Sequence, residues 1–269
     1  MANEAFRFTG EDALNYEQYL GPLLFEPSAL ELLSFVGPPG VPDVLEIACG
    51  TGRLTRHLRH YFPATTRLVA SDISPDMIEL ARRHLKDPSV EFQVADVQQL
   101  PFSNDSFDLV VCQYGLMFLP EKLKGFKEIF RVLKCGGRLV FSTWDSVDNI
   151  PLLDLIFNQL ILPFFKGEDL TRFLVPFSLY EPAVLSGLLR DAGFTDCRIV
   201  PIQFAGRSAS PEGVVNGFLV KHPLGRQVAA KDPAAVQPMA EEMQRRLALR
   251  FGVSDLVFDL KALIGIGHK

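Results

Sequence analysis

Several residue types are scarce in this chain, and each shortage narrows what it can be. The four cysteines, Cys49, Cys112, Cys135 and Cys197, are far apart and form no C-x-x-C pair, so they read as reduced and structural. Positive charge is not in excess. With 27 Lys and Arg against 32 Asp and Glu, the net charge of −5 argues against a protein that neutralises nucleic-acid phosphates. No apolar run can span a bilayer, because the longest, Ile150 to Phe165, is interrupted by Asp154, Asn158 and Gln159. Met1 to Gly10 lacks a basic segment followed by an apolar one, so a cytoplasmic location is the default expectation. Histidine is sparse as well. His57 and His60 have an i, i+3 spacing that could share a metal, but no third ligand is suggested and no metal is expected.

What is present is a hydrophobic chain, 48% of 269 residues, enough for one large domain or a core domain with a lid. Its organising stretch is Val44 to Gly52, VLEIACGTG. Val44, Leu45 and Ile47 read as a strand buried on both faces, broken only by Glu46. Gly50 and Gly52 permit a sharp turn, and Leu54, Leu58 and Tyr61 follow at helical spacing. Strand, glycine turn and helix in that order aim backbone N–H groups at whatever lies beyond the strand's carboxyl end, which suits a nucleotide-like ligand. The dinucleotide fingerprint is not matched, since Thr55 stands where its third glycine would be, and the P-loop lysine is absent.

Strand-like runs then alternate with helix-length segments. RLVASD (67–72) ends on Asp72, twenty residues after Gly52, where a nucleotide-binding unit places an acid to accept from ribose hydroxyls. The competing reading of Asp72 as a helix cap is weakened because Ser74 already fills that role ahead of Pro75. Strands are expected at Val90 to Asp96, Phe107 to Gln113 and Arg138 to Trp144, with a helix from Lys122 to Lys134 ended by Gly136 and Gly137. Five such units imply a doubly wound α/β sheet that binds its ligand at the carboxyl ends of the strands.

VLEIACGTG, LVASDISPDMIELAR, VEFQVADVQQLPFSNDSFDLVVCQYGLMFLP and LKCGGRLVFSTW together resemble the class I S-adenosylmethionine-dependent methyltransferases. Within them the chain looks most like the small-molecule branch containing the ubiquinone and menaquinone C-methyltransferases. The resemblance covers about Tyr16 to Trp144 well, with Ala48 in place of the family's first glycine. It implies a Rossmann-like seven-stranded sheet of order 3-2-1-4-5-7-6, its last strand antiparallel, with helical lid insertions. Residues 1–269 would form a single domain with a helical cap at 1–37, a cofactor-binding core at 38–144 and lids at 145–180 and 209–258. The sixth strand is expected at Cys197 to Phe204, at the sheet edge because it contains Pro201, and the last at Leu260 to Lys269.

The resemblance implies S-adenosyl-L-methionine as cofactor, with Glu46, Ala48, Gly50 and Gly52 around its methionine part. It puts Asp72 on the ribose, with Ile73 and Met77 flanking adenine and ribose. Asp96 would accept from the adenine amino group, Val97 would offer its N–H, and Gln113 would lie near the sulfonium. For Asp96 a solvated loop acid is the competing reading. Tyr16 and Tyr19 either close over the cofactor or pack in an amphipathic helix.

The expected reaction is O-, N- or C-methylation of a small, largely apolar or aromatic acceptor. The alternative is a protein that keeps the cofactor pocket for binding, structure or a non-methylating reaction. Among the 22 phenylalanines, the other aromatics and the methionines, Tyr114, Met117, Phe118, Trp144, Phe164, Phe165 and Phe177 are candidate acceptor walls, against the competing reading of core filling. His222 and Tyr114 are the candidate catalytic groups, His222 competing with a surface-loop reading.

Overall fold

The computed structural model describes residues 11–269. Seven strands form one sheet: β1 (Asp43–Ile47), β2 (Arg67–Asp72), β3 (Val90–Val94), β4 (Phe107–Gln113), β5 (Leu133–Trp144), β6 (Thr195–Ser208) and β7 (Leu256–His268). Their order is β3-β2-β1-β4-β5-β7-β6. β1 pairs in parallel with β2 and β4, β2 with β3, and β4 with β5, while β7 runs antiparallel to β5. Pro201 lies in β6 at the sheet edge, the position in a sheet that tolerates a residue with no N–H to donate.

Four strands differ in their bounds from the sequence expectation. β3 ends at Val94 rather than Asp96, because after the Ala95 N–H donates to the Asp72 carbonyl the chain turns, the Gln98 N–H donating to Asp96 Oδ1. β5 begins at Leu133 rather than Arg138, since Leu133 pairs with Phe107 across a register shift and Gly136 bends the strand with φ of 80°. The preceding helix therefore stops at Val132. β6 and β7 are likewise longer than their expected cores.

The described chain divides into two compact units. One takes residues from Ala29–Asp145, Pro176–Ile202 and Ala262–Lys269 and contains β1 to β5. The other takes residues from Met1–Ser28, Ser146–Val175 and Gln203–Lys261, with β6 and β7 contributing to both. The expected cap and lid segments thus have different bounds from the second unit. Ala29, Leu32 and Val36 belong to the sheet's core, and the chain is back at the sheet by Leu179, whose carbonyl accepts from Thr143 Oγ1 at 3.0 Å.

In the sheet unit, paired residues share a face, so register shows which side chains stand together. Val44, Leu68, Ala70, Val90, Leu109, Val111 and Val140 line one face and form a core with Leu32 and Val36 and with Leu54, Leu58 and Ile78 of the helices that follow β1 and β2. The second unit is mostly helical. A helical run from Glu11 to Leu33, with wide π-helical turns over Tyr16–Phe25, contributes its first part to this unit. Helices Pro151–Ile156, Pro211–Val215, Pro223–Lys231 and Val236–Phe251 account for much of the rest. Among the described residues no helix is long and apolar enough to cross a membrane.

Candidate functional site

The apolar face of the sheet changes character at its carboxyl end. Glu46 pairs with Ala70 and Val111, Gln113 pairs with Ser142, and Asp72 lies two residues after Ala70. Alternation therefore puts Glu46, Asp72, Gln113 and Ser142 on the same face as the core, with Glu46 one pair deeper than the other three. Four adjacent strands each turn polar within their last few positions, and the row lies where a doubly wound sheet binds its ligand.

Above Glu46 the chain leaves β1 through a tight turn fastened to β2. The Cys49 N–H donates to the Ser71 carbonyl at 2.9 Å, and the Gly50 N–H donates to Asp72 Oδ2 at 2.9 Å. Ser71 Oγ donates to the Glu46 carbonyl at 3.2 Å. The turn requires left-handed backbone at three positions: Ala48 at φ 52°, Gly50 at 56° and Gly52 at 78°. Two are glycine, and the third explains why alanine there is a departure, because a Cβ in this region costs about 1–2 kcal/mol. A side chain on Gly50 would meet nothing within 4 Å, so the turn faces open space, whereas one on Gly52 would come within 3.0 Å of the Ala81 Cβ. Gly52 also caps the helix Arg53–Tyr61.

Asp72 is nearly buried and accepts from two backbone groups, Gly50 N–H at Oδ2 and Ser74 N–H at Oδ1, both at 2.9 Å. Burial raises its pKa above the usual carboxylate value, and the N–H groups of Ser74, Gly50 and Ile73 offset part of that rise. Each carboxylate oxygen keeps further acceptor capacity for ligand hydroxyls. The rival capping role belongs to Ser74, whose Oγ accepts from the Met77 N–H at 3.4 Å at the start of the helix Pro75–His84.

Glu46 is 1% exposed, and its Oε2 has no hydrogen-bond partner among the described residues. Loss of solvation pushes its pKa up to about 8, the nearby Asp72 carboxylate adds to the rise, and Thr55 and Arg56 pull it down. Thr55 stands on the helix Arg53–Tyr61 that follows the turn. It too is buried without a partner among the described residues. Burial raises the Cys49 thiol well above its ordinary value and the Cys112 thiol to about 12, so both stay protonated near neutral pH.

The remaining expected cofactor residues of the sheet unit occupy adjoining positions. Ile73 follows Asp72 and is 65% exposed, an apolar side chain presented to solvent, while Met77 is buried. Asp96 is half-buried and holds a turn through the Gln98 N–H, followed by buried Val97. Gln113 ends β4 and is half-buried. Tyr114 follows in left-handed backbone at φ 52°. Its ring stacks on Trp144 with centroids 4.0 Å apart and planes 8° from parallel, both rings nearly buried. Of the candidate acceptor walls in this unit, Met117 and Phe177 are buried and Phe118 is 40% exposed.

The other candidates belong to the second unit. Tyr16 stacks on Phe25 at 4.7 Å, and Tyr19 lies under Lys221, whose Nζ donates to its hydroxyl at 3.1 Å. Phe164 and Phe165 lie beneath the Lys231 ammonium. His222 is buried, not a surface-loop residue. It caps the helix Pro223–Lys231, its Nδ1 accepting from the Leu224 N–H at 3.0 Å, which leaves the ring proton on Nε2. No cluster of three or more His, Cys, Asp or Glu able to hold a metal occurs among the described residues.

Sequence reading alone missed Thr55 and Ser142. Thr55 registered only as a departure from the dinucleotide fingerprint, and Ser142 lies unremarked in RLVFSTW. Its Oγ is buried without a partner among the described residues, beside Gln113 in the register.

Comparison with known proteins agrees with this geometry. Residues 44–137 match the family described as a methyltransferase domain. A ubiquinone/menaquinone biosynthesis C-methyltransferase of Geobacter sp. (strain M21) is 31% identical over 176 residues, 61% of this chain and 74% of that one. A malonyl-[acyl-carrier protein] O-methyltransferase of Hahella chejuensis is 34% identical over 171 residues, 59% of this chain but only 55% of its own length. The crystal structure of a methyltransferase of Bacillus halodurans, 18% identical, superposes with a TM-score of 0.59, covering 90% of this chain and 98% of that one, and shows that the fold is shared.

Proposed function

The chain belongs to the class I S-adenosylmethionine-dependent methyltransferases, and from that premise we propose that it methylates a small, largely apolar or aromatic acceptor at an oxygen, nitrogen or carbon. The observation that carries the cofactor half of this reading is the row of Glu46 and Asp72 beneath the open glycine turn. The buried Glu46 Oε2, lacking a partner among the described residues, suits an ammonium group, and Asp72 retains lone pairs for vicinal hydroxyls. The donor set therefore fits the cofactor's methionine and ribose parts.

When bound, S-adenosylmethionine supplies an electrophilic methyl group on a sulfonium. The residues provide position and dryness. Glu46, Ala48, Gly50 and Gly52 hold the amino-acid end. Asp72 fixes the ribose, Ile73 and Met77 flank adenine and ribose, and Asp96 with Val97 meets the adenine edge. Gln113 orients the reacting end, next in the chain to the buried Tyr114–Trp144 stack. Holding the acceptor nucleophile in line at near-attack distance supplies several kcal/mol of the barrier, about 7–11 in the best-oriented reactions. The apolar character proposed for the acceptor rests on Tyr114, Trp144, Met117 and Phe177, and on relatives named for quinone and acyl-carrier substrates. The net charge of −5 favours a small molecule over nucleic acid.

Incubating the protein with methyl-labelled S-adenosylmethionine and a panel of phenols, quinones, amines and carboxylic acids tests the reading. Label is expected in at least one apolar member. S-adenosylhomocysteine is expected to raise the melting temperature by mass action. Absence of a thermal shift with either cofactor form would remove the assignment.

A further inference from the structure

Among the described residues the strands carry three buried hydroxyls, Ser71, Ser142 and Thr143, and these divide by face. Ser71 and Thr143 alternate with members of the polar row, so they stand on the opposite face, and each has a backbone acceptor. Ser71 Oγ donates to the Glu46 carbonyl at 3.2 Å, and Thr143 Oγ1 donates to the Leu179 carbonyl at 3.0 Å. Ser142 stands in the row itself and is equally buried, yet its Oγ has no hydrogen-bond partner among the described residues. A buried hydroxyl in that condition costs stability. Its presence is explained if it forms its bond in another state of the site.

Register names the neighbours of Ser142 on its face. Val140 and Trp144 lie two residues before and after it on β5, Ile264 is its pair on β7, and Gln113 is its pair on β4. Val140 and Ile264 have no polar side-chain atoms, and the Trp144 ring is stacked on Tyr114. Gln113 brings a carboxamide, able both to donate and to accept, one strand spacing away, about 4.8 Å. We propose that Ser142 is a positioning residue for Gln113: its hydroxyl accepts from the Gln113 Nε2 amide and so holds the Gln113 carbonyl oxygen toward the sulfonium of the bound cofactor. This rests on the cofactor reading given above. A carboxamide is a dipole, and a positive charge beyond it draws the oxygen end forward, which turns the Nε2 end back toward β5. Ser142 Oγ then gains a donor. The thioether of S-adenosylhomocysteine is neutral and exerts no such pull, so the bond favours the charged form of the cofactor over the spent one.

Calorimetry of the intact protein with S-adenosylmethionine and with S-adenosylhomocysteine, no acceptor added, tests the role. Ser142→Ala should weaken S-adenosylmethionine about five-fold and leave S-adenosylhomocysteine within about two-fold, since one hydrogen bond is lost to the charged form alone. Gln113→Leu should cost the same preference, and adding Ser142→Ala to it should then change neither affinity, because the two residues act as one unit. Urea unfolding without ligand should find Ser142→Ala at least as stable as wild type, since the substitution removes an unpaired hydroxyl and no bond. A serine of purely structural value would give the reverse, lower stability with both ligands weakened alike. Equal weakening of the two ligands, an unchanged S-adenosylmethionine affinity, a Ser142→Ala effect that persists beside Gln113→Leu, or a loss of stability in urea would each overturn the positioning role and leave the methyltransferase reading intact. Failure of wild type to bind either form would overturn both.

Discussion

Replacing Glu46 by glutamine should make the ligand-free protein's stability less dependent on pH. In the unfolded chain this carboxyl titrates near its ordinary value of 4.5, and in the fold near 8. Between those values the folded state binds more protons than the unfolded state, so stability is greatest below the lower value and falls as pH rises toward the upper. Each pH unit removes about 1.4 kcal/mol, which gives a loss of about 3 kcal/mol near pH 7 and about 5 kcal/mol above pH 8. Against a typical total of about 5–15 kcal/mol, this is a substantial share. Asp72 is shifted in the same direction, so the wild-type curve contains both contributions, and the difference between wild type and Glu46→Gln isolates the first. The glutamine has its own buried amide to satisfy, at about 1–3 kcal/mol, but that cost does not vary with pH and offsets the difference curve without tilting it. Urea unfolding of both proteins from pH 5 to 8.5 measures the tilt. The variant should gain on wild type by more than about 2 kcal/mol across that span. A difference that stays constant with pH would refute the protonated, buried Glu46 and the desolvation argument behind it.

Asp72→Ala should weaken S-adenosylhomocysteine by ten-fold or more, since losing an acceptor for buried hydroxyls costs about 1–3 kcal/mol. It should also lower the melting temperature, because the Gly50 and Ser74 N–H groups lose their partner; unchanged affinity by calorimetry would take Asp72 out of the site. Gly115→Ala would set a Cβ 2.4 Å from the Ala48 Cβ and 2.8 Å from the Cys112 Sγ, so a loss of about 1–3 kcal/mol in denaturant unfolding is expected, part of it recovered by adding Ala48→Gly. A Gly115→Ala protein as stable as wild type would show that the turn repacks freely. Tyr114→Ala removes a ring stacked at 4.0 Å on Trp144, and acceptor kcat/KM should fall by about ten-fold while S-adenosylhomocysteine affinity holds, consistent with about 0.5–1.5 kcal/mol for an aromatic pair. An equal fall in cofactor affinity would place Tyr114 on the cofactor side instead.

Much of the sheet unit was legible because its signals are local. Arg53–Tyr61, Arg67–Asp72 and Phe107–Gln113 have the bounds that helical spacing, a terminal acid and a continuous apolar run indicate. Ser74 and Pro75 mark a helix start by chemistry confined to four residues. The start of β5 was not legible, because Leu133 joins the sheet through a pairing with Phe107 that its glycine-rich sequence hides. The wide helical turns over Tyr16–Phe25, Phe157–Ile161 and Asn216–Val220 break the period on which a sequence reading depends. His222 shows the same limit: a histidine before Pro223 looks like loop, whereas the fold buries it as the cap of the helix that follows.

The site's most informative property was the least local. Glu46, Asp72, Gln113 and Ser142 are single polar residues in four separate apolar runs, and read one strand at a time each has an ordinary explanation. Register makes them a row, because Glu46 pairs with Ala70 and Val111 and Gln113 pairs with Ser142. The row then divides by depth. Asp72 lies level with backbone N–H groups of the turn and is satisfied by two of them, while Glu46, one pair lower, is beyond their reach and keeps an oxygen without a partner among the described residues. The same step along the strand that buries Glu46 therefore raises its pKa and leaves an oxygen that suits a cation, so the receptor role proposed for this carboxyl rests on its depth below the turn and not on the acid's identity alone.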